Sequence, residues 1–393
     1  MIELVINPTF VKQFQHKFPL IHKEAVQNMN DLNDEGEIVH LVDGNGRFIA
    51  KGYYGKQNKG LGWVLTHNKD EPIDKTFFRS KILAAINKRK AFYEDPNTTA
   101  FRLFNGEGDG IGGLTIDYYN GHYLLNWYSE GIYAFKELVV TVLTEYGECV
   151  SIYEKKRFDT KGSYIDDDDF VYGERPEFPL IIQENGMNYA VDLNDGAMTG
   201  IFLDQRDVRR ALRDRYAKDK HVLNTFSYTG AFSVAAALGG AESTTSVDLA
   251  KRSEPKTIEN FSLNGIDLEQ QSTYVMDIYS YFKYAKRHGL NYDTIVLDPP
   301  SFARNKKKTF SSAKDYPSLI KHSAEIINKN GVIIASTNNA SFDMKHFKKL
   351  VDQGFKEAGV SYQVKEEFGL PRDFATHSLY KQSDYLKVLV LKV

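Results

Sequence analysis

Beyond about residue 185 the sequence alternates strand-like and helix-like segments at short spacing, and this regularity constrains the fold more than any other feature. Segments 221–226, 244–248, 272–276, 293–298 and 332–336 read as buried strands, with helices at 231–238, 250–264, 278–287, 314–328 and 343–358. Repeated βα units predict a parallel, doubly wound α/β sheet. A ligand of such a sheet sits at the carboxyl ends of the strands.

The upstream chain is patterned differently. Residues 1–70 carry short β-branched and aromatic runs on either side of Asp43-Gly44-Asn45-Gly46, a hairpin signal, and predict a small β-rich module. The polar, proline-ended stretch from Asn68 to Pro72 marks a boundary. In 71–184, a helix over 77–93, another near 133–146 and strands around Gly106-Glu107-Gly108-Asp109-Gly110 and Gly112-Gly113 predict an α+β middle domain. The acidic run 166–169 is expected to be a solvated loop. The expected domains are therefore 1–70, 71–184 and 185–393.

Composition narrows the class of function. A chain of 393 residues with 42% hydrophobic residues can bury several cores, and no apolar run is long enough to span a membrane. The single cysteine, Cys149, excludes an internal disulfide and a cysteine-rich zinc site, so no metal is expected. Cysteine usage and a start, Met1-Ile2-Glu3-Leu4, without the features of a secretory signal predict a cytoplasmic protein. With a net charge of -2, any nucleic-acid surface must be a local basic patch.

Four signals stand at successive strand ends. Asn224-Thr225-Phe226-Ser227-Tyr228-Thr229-Gly230 runs from a strand through a tight turn into a helix, and Gly230 lets backbone amides approach a ligand. Asp248 follows about 18 residues later, where a carboxylate can accept both hydroxyls of a ribose; its plainer role is a helix cap. Asp277 is placed either to cap a helix or to accept from an adenine amino group. Together these fit an adenosine-containing cofactor. Asp298-Pro299-Pro300-Ser301-Phe302 ends the fourth strand with a stiffened backbone, suited to present carbonyls and an aromatic face to a planar substrate. No G-x-G-x-x-G follows the first strand, which disfavours a dehydrogenase.

With these motifs in place, the chain resembles the class I S-adenosylmethionine-dependent methyltransferases, whose D/N-P-P motif with a nearby aromatic matches Asp298 to Phe302. The resemblance implies a Rossmann-like catalytic domain and S-adenosylmethionine as cofactor, with Asp248 at the ribose and Asp277 at the adenine. Gly200-Ile201-Phe202-Leu203-Asp204-Gln205-Arg206, with the two motifs above, also looks like the bacterial 23S rRNA methyltransferases of the RlmI and RlmK types. By that likeness residues 1–70 resemble a PUA-like module, Gln205 and Arg206 border the cofactor pocket, and the partner is 23S rRNA or a large-subunit precursor. No feature sets the oligomeric state, and a homodimer is compatible with the sequence.

The cysteine count then separates two chemistries. The RlmI type methylates cytosine C5, a carbon made nucleophilic by thiolate addition, from a cysteine-containing motif after the fifth strand. Here that place holds Ser336-Thr337-Asn338-Asn339. The RlmK type, which methylates guanine N7, has a similar Ser-Asn-Asn stretch. Guanine N7 owns an in-plane lone pair and needs only alignment with the methyl donor. Asn338 and Asn339 are expected to orient the base, Phe302 to stack on it, and Asp298 to hold base or loop. Arg304, Lys306, Lys307 and Lys308 place positive charge beside this centre for phosphates. The competing readings are cytosine C5 methylation, a non-catalytic RNA-binding assembly factor, and an amino-group methyltransferase.

Overall fold

The computed structural model describes residues 2–56, 60–158, 168–304 and 309–393, the side chains at 303, 304 and 309 excepted. The chain forms two compact units. The first comprises Met1–Phe178, Asp192–Thr199 and Arg372–Ser383; the second comprises Pro179–Val191, Gly200–Pro371 and Asp384–Val393.

The first unit holds two five-stranded sheets. One is built from Ile2–Val5, Leu20–His22, Ile38–Val42, Phe48–Tyr54 and Gly60–Thr66. Its expected hairpin forms because the Asp43 carboxylate accepts from the backbone N–H groups of Asn45 and Arg47 at 2.8 and 3.0 Å. The other sheet comprises Ala100–Asn105, Leu114–Tyr119, His122–Trp127, Ser151–Lys156 and Phe170–Gly173. Tyr53, Trp63 and Leu65 of the first sheet share one core with Phe78, Leu103, Ile116 and Leu125. The sequence boundary at 70 therefore lies inside one packed unit, because apolar side chains on both sides of it fill the same interior.

Two local expectations change. The helix expected over 77–93 is divided into Lys75–Lys88 and Lys90–Tyr93, and Arg89 between them turns into a buried ion pair with Asp109. The acidic run is not wholly solvated: Asp169 is buried and pairs with the buried Lys155, while Asp168 pairs with Arg175; its residues 166 and 167 lie outside the described residues. The second unit starts at Pro179, and the segments Asp192–Thr199 and Arg372–Ser383 belong to the first unit.

The second unit carries a seven-stranded sheet. Its strands in chain order are β1 (His221–Thr225), β2 (Ser243–Asp248), β3 (Gln271–Val275), β4 (Tyr292–Leu297), β5 (Ile327–Thr337), β6 (Gln363–Phe368) and β7 (Lys387–Lys392). Their spatial order is β3-β2-β1-β4-β5-β7-β6. The first five run parallel, and β7 is antiparallel to both of its neighbours. The order reverses direction between β1 and β4, the switch point where doubly wound sheets open a crevice. Helix boundaries follow local chemistry. Asp277 and Asp343 cap helices Ile278–His288 and Met344–Ala358, which end at the left-handed glycines Gly289 and Gly359. Among the described residues no helix is long and apolar enough to cross a membrane.

Candidate active site

The site starts from an unusual turn. Immediately after β1, Phe226 and Tyr228 both adopt φ of 53°, a left-handed conformation that glycine usually supplies. Such backbone costs on the order of 1 to 3 kcal/mol per residue and persists only where its surroundings hold it. Asp248, at the end of β2, is part of that hold: its Oδ2 accepts from the Tyr228 N–H at 2.9 Å and its Oδ1 from the Ala250 N–H at 2.8 Å. Both side chains of the turn thereby line a cavity of about 350 Å³ at the carboxyl ends of the strands.

The cavity has two chemically distinct sides. Toward β2 and β3 it is walled by Phe226, Val247, Met276, Ile278 and Phe310, with Asp248 and Asp277 among them. Asp277 lines the cavity and caps the helix after β3, accepting from Tyr279 and Ser280 N–H at 3.1 and 3.2 Å. Apolar walls beside two carboxylates at strand ends suit a purine nucleoside. Toward β4 and β5 the lining is Asp204, Gln205, Asp298, Pro299, Pro300 and Asn338.

Asp298 anchors this second side. Burial pushes its carboxyl up to about 6, and the nearby charge of Asp204 adds to the rise. Gln205 Nε2 donates to Asp298 Oδ1 at 3.0 Å and to Ser336 Oγ at 2.7 Å, so one amide ties three elements together. Tyr385 donates to Asp204 Oδ2 at 2.8 Å. The loop carrying Phe202 and Asp204 is held by Arg209, which pairs with buried Glu184 at 2.7 Å and donates to the Phe202 carbonyl at 2.7 Å.

A raised carboxyl has a defined stability sign. Its contribution is fully present below the ordinary carboxylate range and is lost as pH rises through about 6. Asp298→Asn should therefore stabilise the protein relative to the parent at pH 8 by roughly 3 kcal/mol, read as a higher thermal midpoint, with the gain shrinking toward pH 4. Equal midpoints at pH 8 would mean that the buried charge carries no cost.

The remaining expected residues divide clearly. Gln205, Phe226, Tyr228, Asp248, Asp277, Asp298, Pro299, Pro300 and Asn338 line the cavity. Arg206, Asn224, Ser227, Thr229 and Gly230 do not; the last four belong to the end of β1 and the turn after it. Asn224 donates to Ser233 at 3.0 Å, the Ser227 N–H bonds to the Val247 carbonyl at 3.0 Å, and Thr229 donates to the Gly200 carbonyl at 2.6 Å. Gly230 has φ of 76°, and a Cβ there would lie 2.5 Å from Thr257, so close helix packing is its demand. Arg206 is buried. Asn339 is spent on bracing: its Nδ2 donates to Ser312 Oγ at 3.0 Å and its Oδ1 accepts from Ser341 N–H at 2.9 Å. Phe302 is 64% exposed and off the cavity wall. Lys306, Lys307 and Lys308 lie outside the described residues, as does the Arg304 side chain.

Sequence reasoning missed Phe202, Asp204, Val247, Leu249, Met276, Ile278, Tyr279 and Phe310 as lining residues. Proximity to Asp248 and Asp277 along the chain could have found Val247, Leu249, Met276, Ile278 and Tyr279. Phe310 had no local signal. It reaches the cavity because Thr309–Ser311 folds back antiparallel on Phe302–Arg304, pairing Ala303 with Phe310.

Comparison with known proteins agrees with this geometry. A family model described as S-adenosylmethionine-dependent methyltransferase matches residues 111–378, and one described as a PUA-like domain matches 4–67. The chain belongs to this family of S-adenosylmethionine-dependent methyltransferases, with a PUA-like segment at its N-terminal end. It is 57% identical over 391 residues, 99% of each chain, to the "Putative ribosomal RNA large subunit methyltransferase YwbD" of Bacillus subtilis (strain 168). It is 31% identical over 395 residues, 100% of this chain and 99% of the other, to the ribosomal RNA large subunit methyltransferase I of Shewanella amazonensis. The crystal structure of "SMU.776, a putative methyltransferase complexed with SAH" superposes with a TM-score of 0.92 at 42% identity, covering 100% of both chains. The cofactor is thus S-adenosylmethionine, which supplies an electrophilic methyl group when bound. Asp248 and Asp277 would hold its nucleoside.

Proposed function

We propose that this enzyme methylates N7 of a guanine in 23S ribosomal RNA, as naked RNA or within a large-subunit precursor, without a covalent enzyme–RNA intermediate. The observation that carries this reading is the residue set at the end of β5. Where thiolate chemistry at cytosine C5 needs a cysteine, the chain has Ser336, Thr337, Asn338 and Asn339, and no cysteine lines the cavity. Cys149, the single cysteine, belongs to the first unit, half-buried against its core. Burial pushes its thiol up to about 11, so it stays protonated at neutral pH. The names of the relatives at 57% and 31% identity support ribosomal RNA as the substrate class.

For an in-plane lone pair the protein's task is alignment. Asp298, fixed by Gln205, and Asn338 would position the base against the methyl donor, and no proton need leave the ring before transfer. The base must be unstacked to enter, and Phe302, exposed beside the Asp-Pro-Pro turn, offers a stacking surface. Arg304, Lys306, Lys307 and Lys308 are the proposed phosphate contacts.

The test compares nucleosides of ribosomal RNA from cells with and without the protein by mass spectrometry, expecting one N7-methylguanosine to be lost. In parallel, Cys149→Ser should keep its methylation rate within about threefold, whereas losing an essential nucleophile costs many orders of magnitude. Loss of 5-methylcytidine, or a folded, cofactor-binding but inactive Cys149→Ser enzyme, would restore the cytosine reading.

A further inference from the structure

Phe202 is an apolar residue that folding leaves uncovered at the cavity. Its neighbours Ile201 and Leu203 are 4% and 5% exposed, whereas Phe202 lines the cavity and is 42% exposed. The loop that carries it is held from several directions. Gly200 N–H donates to the Tyr228 hydroxyl at 2.9 Å, and the Gly200 carbonyl accepts from Thr229 at 2.6 Å. The Phe202 carbonyl accepts from Arg209 at 2.7 Å, and Asp204 accepts from Tyr385 at 2.8 Å. The Phe202 ring packs on the Tyr228 ring, with centroids 5.5 Å apart and planes tilted by 49°. Tyr228 is fixed in turn by Asp248. An aromatic side chain on so constrained a backbone loses little freedom when a flat ligand covers it.

We infer that Phe202 is the platform on which the target base stacks once it has entered the cavity. The inference rests on the reading that a base of ribosomal RNA enters here, and not on which of its atoms is methylated. The place of Phe202 separates base from cofactor as the occupant. The cofactor's nucleoside has its own apolar wall on the side of β2 and β3, where Phe226, Val247, Met276 and Phe310 stand with Asp248 and Asp277. Phe202 comes instead from the segment that supplies Asp204 and Gln205 to the other side, where Gln205 donates to Asp298 at 3.0 Å. Phe302 is off the cavity wall, so it meets RNA outside the cavity. A base drawn out of an RNA loop leaves its stacking neighbours behind, and an aromatic face inside the pocket replaces them. Such a face holds any base, so Phe202 secures the base while hydrogen-bonding groups elsewhere on the wall choose it.

The test is a mutant cycle read by binding. A short RNA carrying the modified site, once nucleoside mapping has located it, is compared with the same RNA lacking only the target base. Each is titrated into enzyme saturated with S-adenosylhomocysteine. Phe202→Leu keeps an apolar side chain and loses the aromatic face. It should weaken binding of the intact RNA by about tenfold and leave the abasic RNA within about twofold, a coupling of the size of one stacked base. Phe202→Tyr should keep the parent value, and Phe302→Leu should weaken both RNAs alike. The calorimetric affinity of Phe202→Leu for S-adenosylhomocysteine should match the parent. A merely structural Phe202 would instead lower the thermal midpoint and both RNA affinities together, and a loss of S-adenosylhomocysteine affinity without coupling to the base would make the cofactor its occupant. Either result overturns the inference. Absent coupling in an enzyme that does methylate ribosomal RNA overturns the inference alone, whereas a parent enzyme that transfers no methyl group to ribosomal RNA overturns the reading beneath it as well.

Discussion

Replacing Asp248 by alanine should weaken S-adenosylmethionine binding by roughly tenfold to a hundredfold. The carboxylate stands at the end of β2 on the cavity wall, with the ribose hydroxyls of the cofactor as its proposed partners, and losing a charged hydrogen-bond partner costs about 1.5 to 3 kcal/mol. The structure adds a second reason. Asp248 Oδ2 also accepts from Tyr228 N–H, and Tyr228 sits at φ of 53°. Without that acceptor the strained turn loses a support, and Phe226 and Tyr228 lose their aim into the cavity. Calorimetry on folded variant protein checks it, and unchanged affinity would leave Asp248 as a turn and cap residue only.

Asp109→Ala should destabilise the first unit by about 3 to 5 kcal/mol, the usual consequence of leaving a buried charge unpaired. Arg89 grips Asp109 through two hydrogen bonds of 2.8 and 2.7 Å, and the side chains are 2% and 1% exposed. Burial alone would raise the Asp109 carboxyl, but the hydrogen bonds and charge of Arg89 outweigh it and hold it below the ordinary value. The same guanidinium donates twice to the Asp373 carbonyl, at 3.1 and 2.6 Å, and Asp373 Oδ2 accepts from Arg102 N–H at 2.8 Å. Losing Asp109 therefore also loosens the returning segment Arg372–Ser383. Thermal unfolding measures the effect, with Asp109→Asn as the milder comparison. A midpoint within one degree of the parent would show that Arg89 finds another partner.

Asp109 also shows how far a motif can be read. The glycine-rich run from Gly106 to Gly110 is recognisable as a turn, yet nothing near it in the chain announces Arg89 or the C-terminal segment as its partners. A Cβ at Gly108 would lie 2.0 Å from the Ala375 carbonyl, so this glycine answers to a segment more than 250 residues away. The acids Asp248 and Asp277 were legible because strand spacing alone places them at carboxyl ends. Thr229 and Asn339 suggest ligand contacts by residue type, whereas Thr229 Oγ1 donates to the Gly200 carbonyl and both amide atoms of Asn339 are bonded within the protein.

By itself the sequence determined the succession of five βα strands, the acids at their ends, the Asp-Pro-Pro turn and the want of a cysteine after the fifth strand. These depend on spacing of a few residues and on side-chain chemistry, which the linear chain carries. Only the tertiary structure decided that Gln205 binds Asp298 and Ser336, that Tyr385 meets Asp204, that Phe310 folds back into the cavity and that Ser301 pairs with Asn338. Each of those except Phe310 joins residues tens to more than a hundred positions apart, and such pairs are selected by sheet order and packing, which no local pattern encodes.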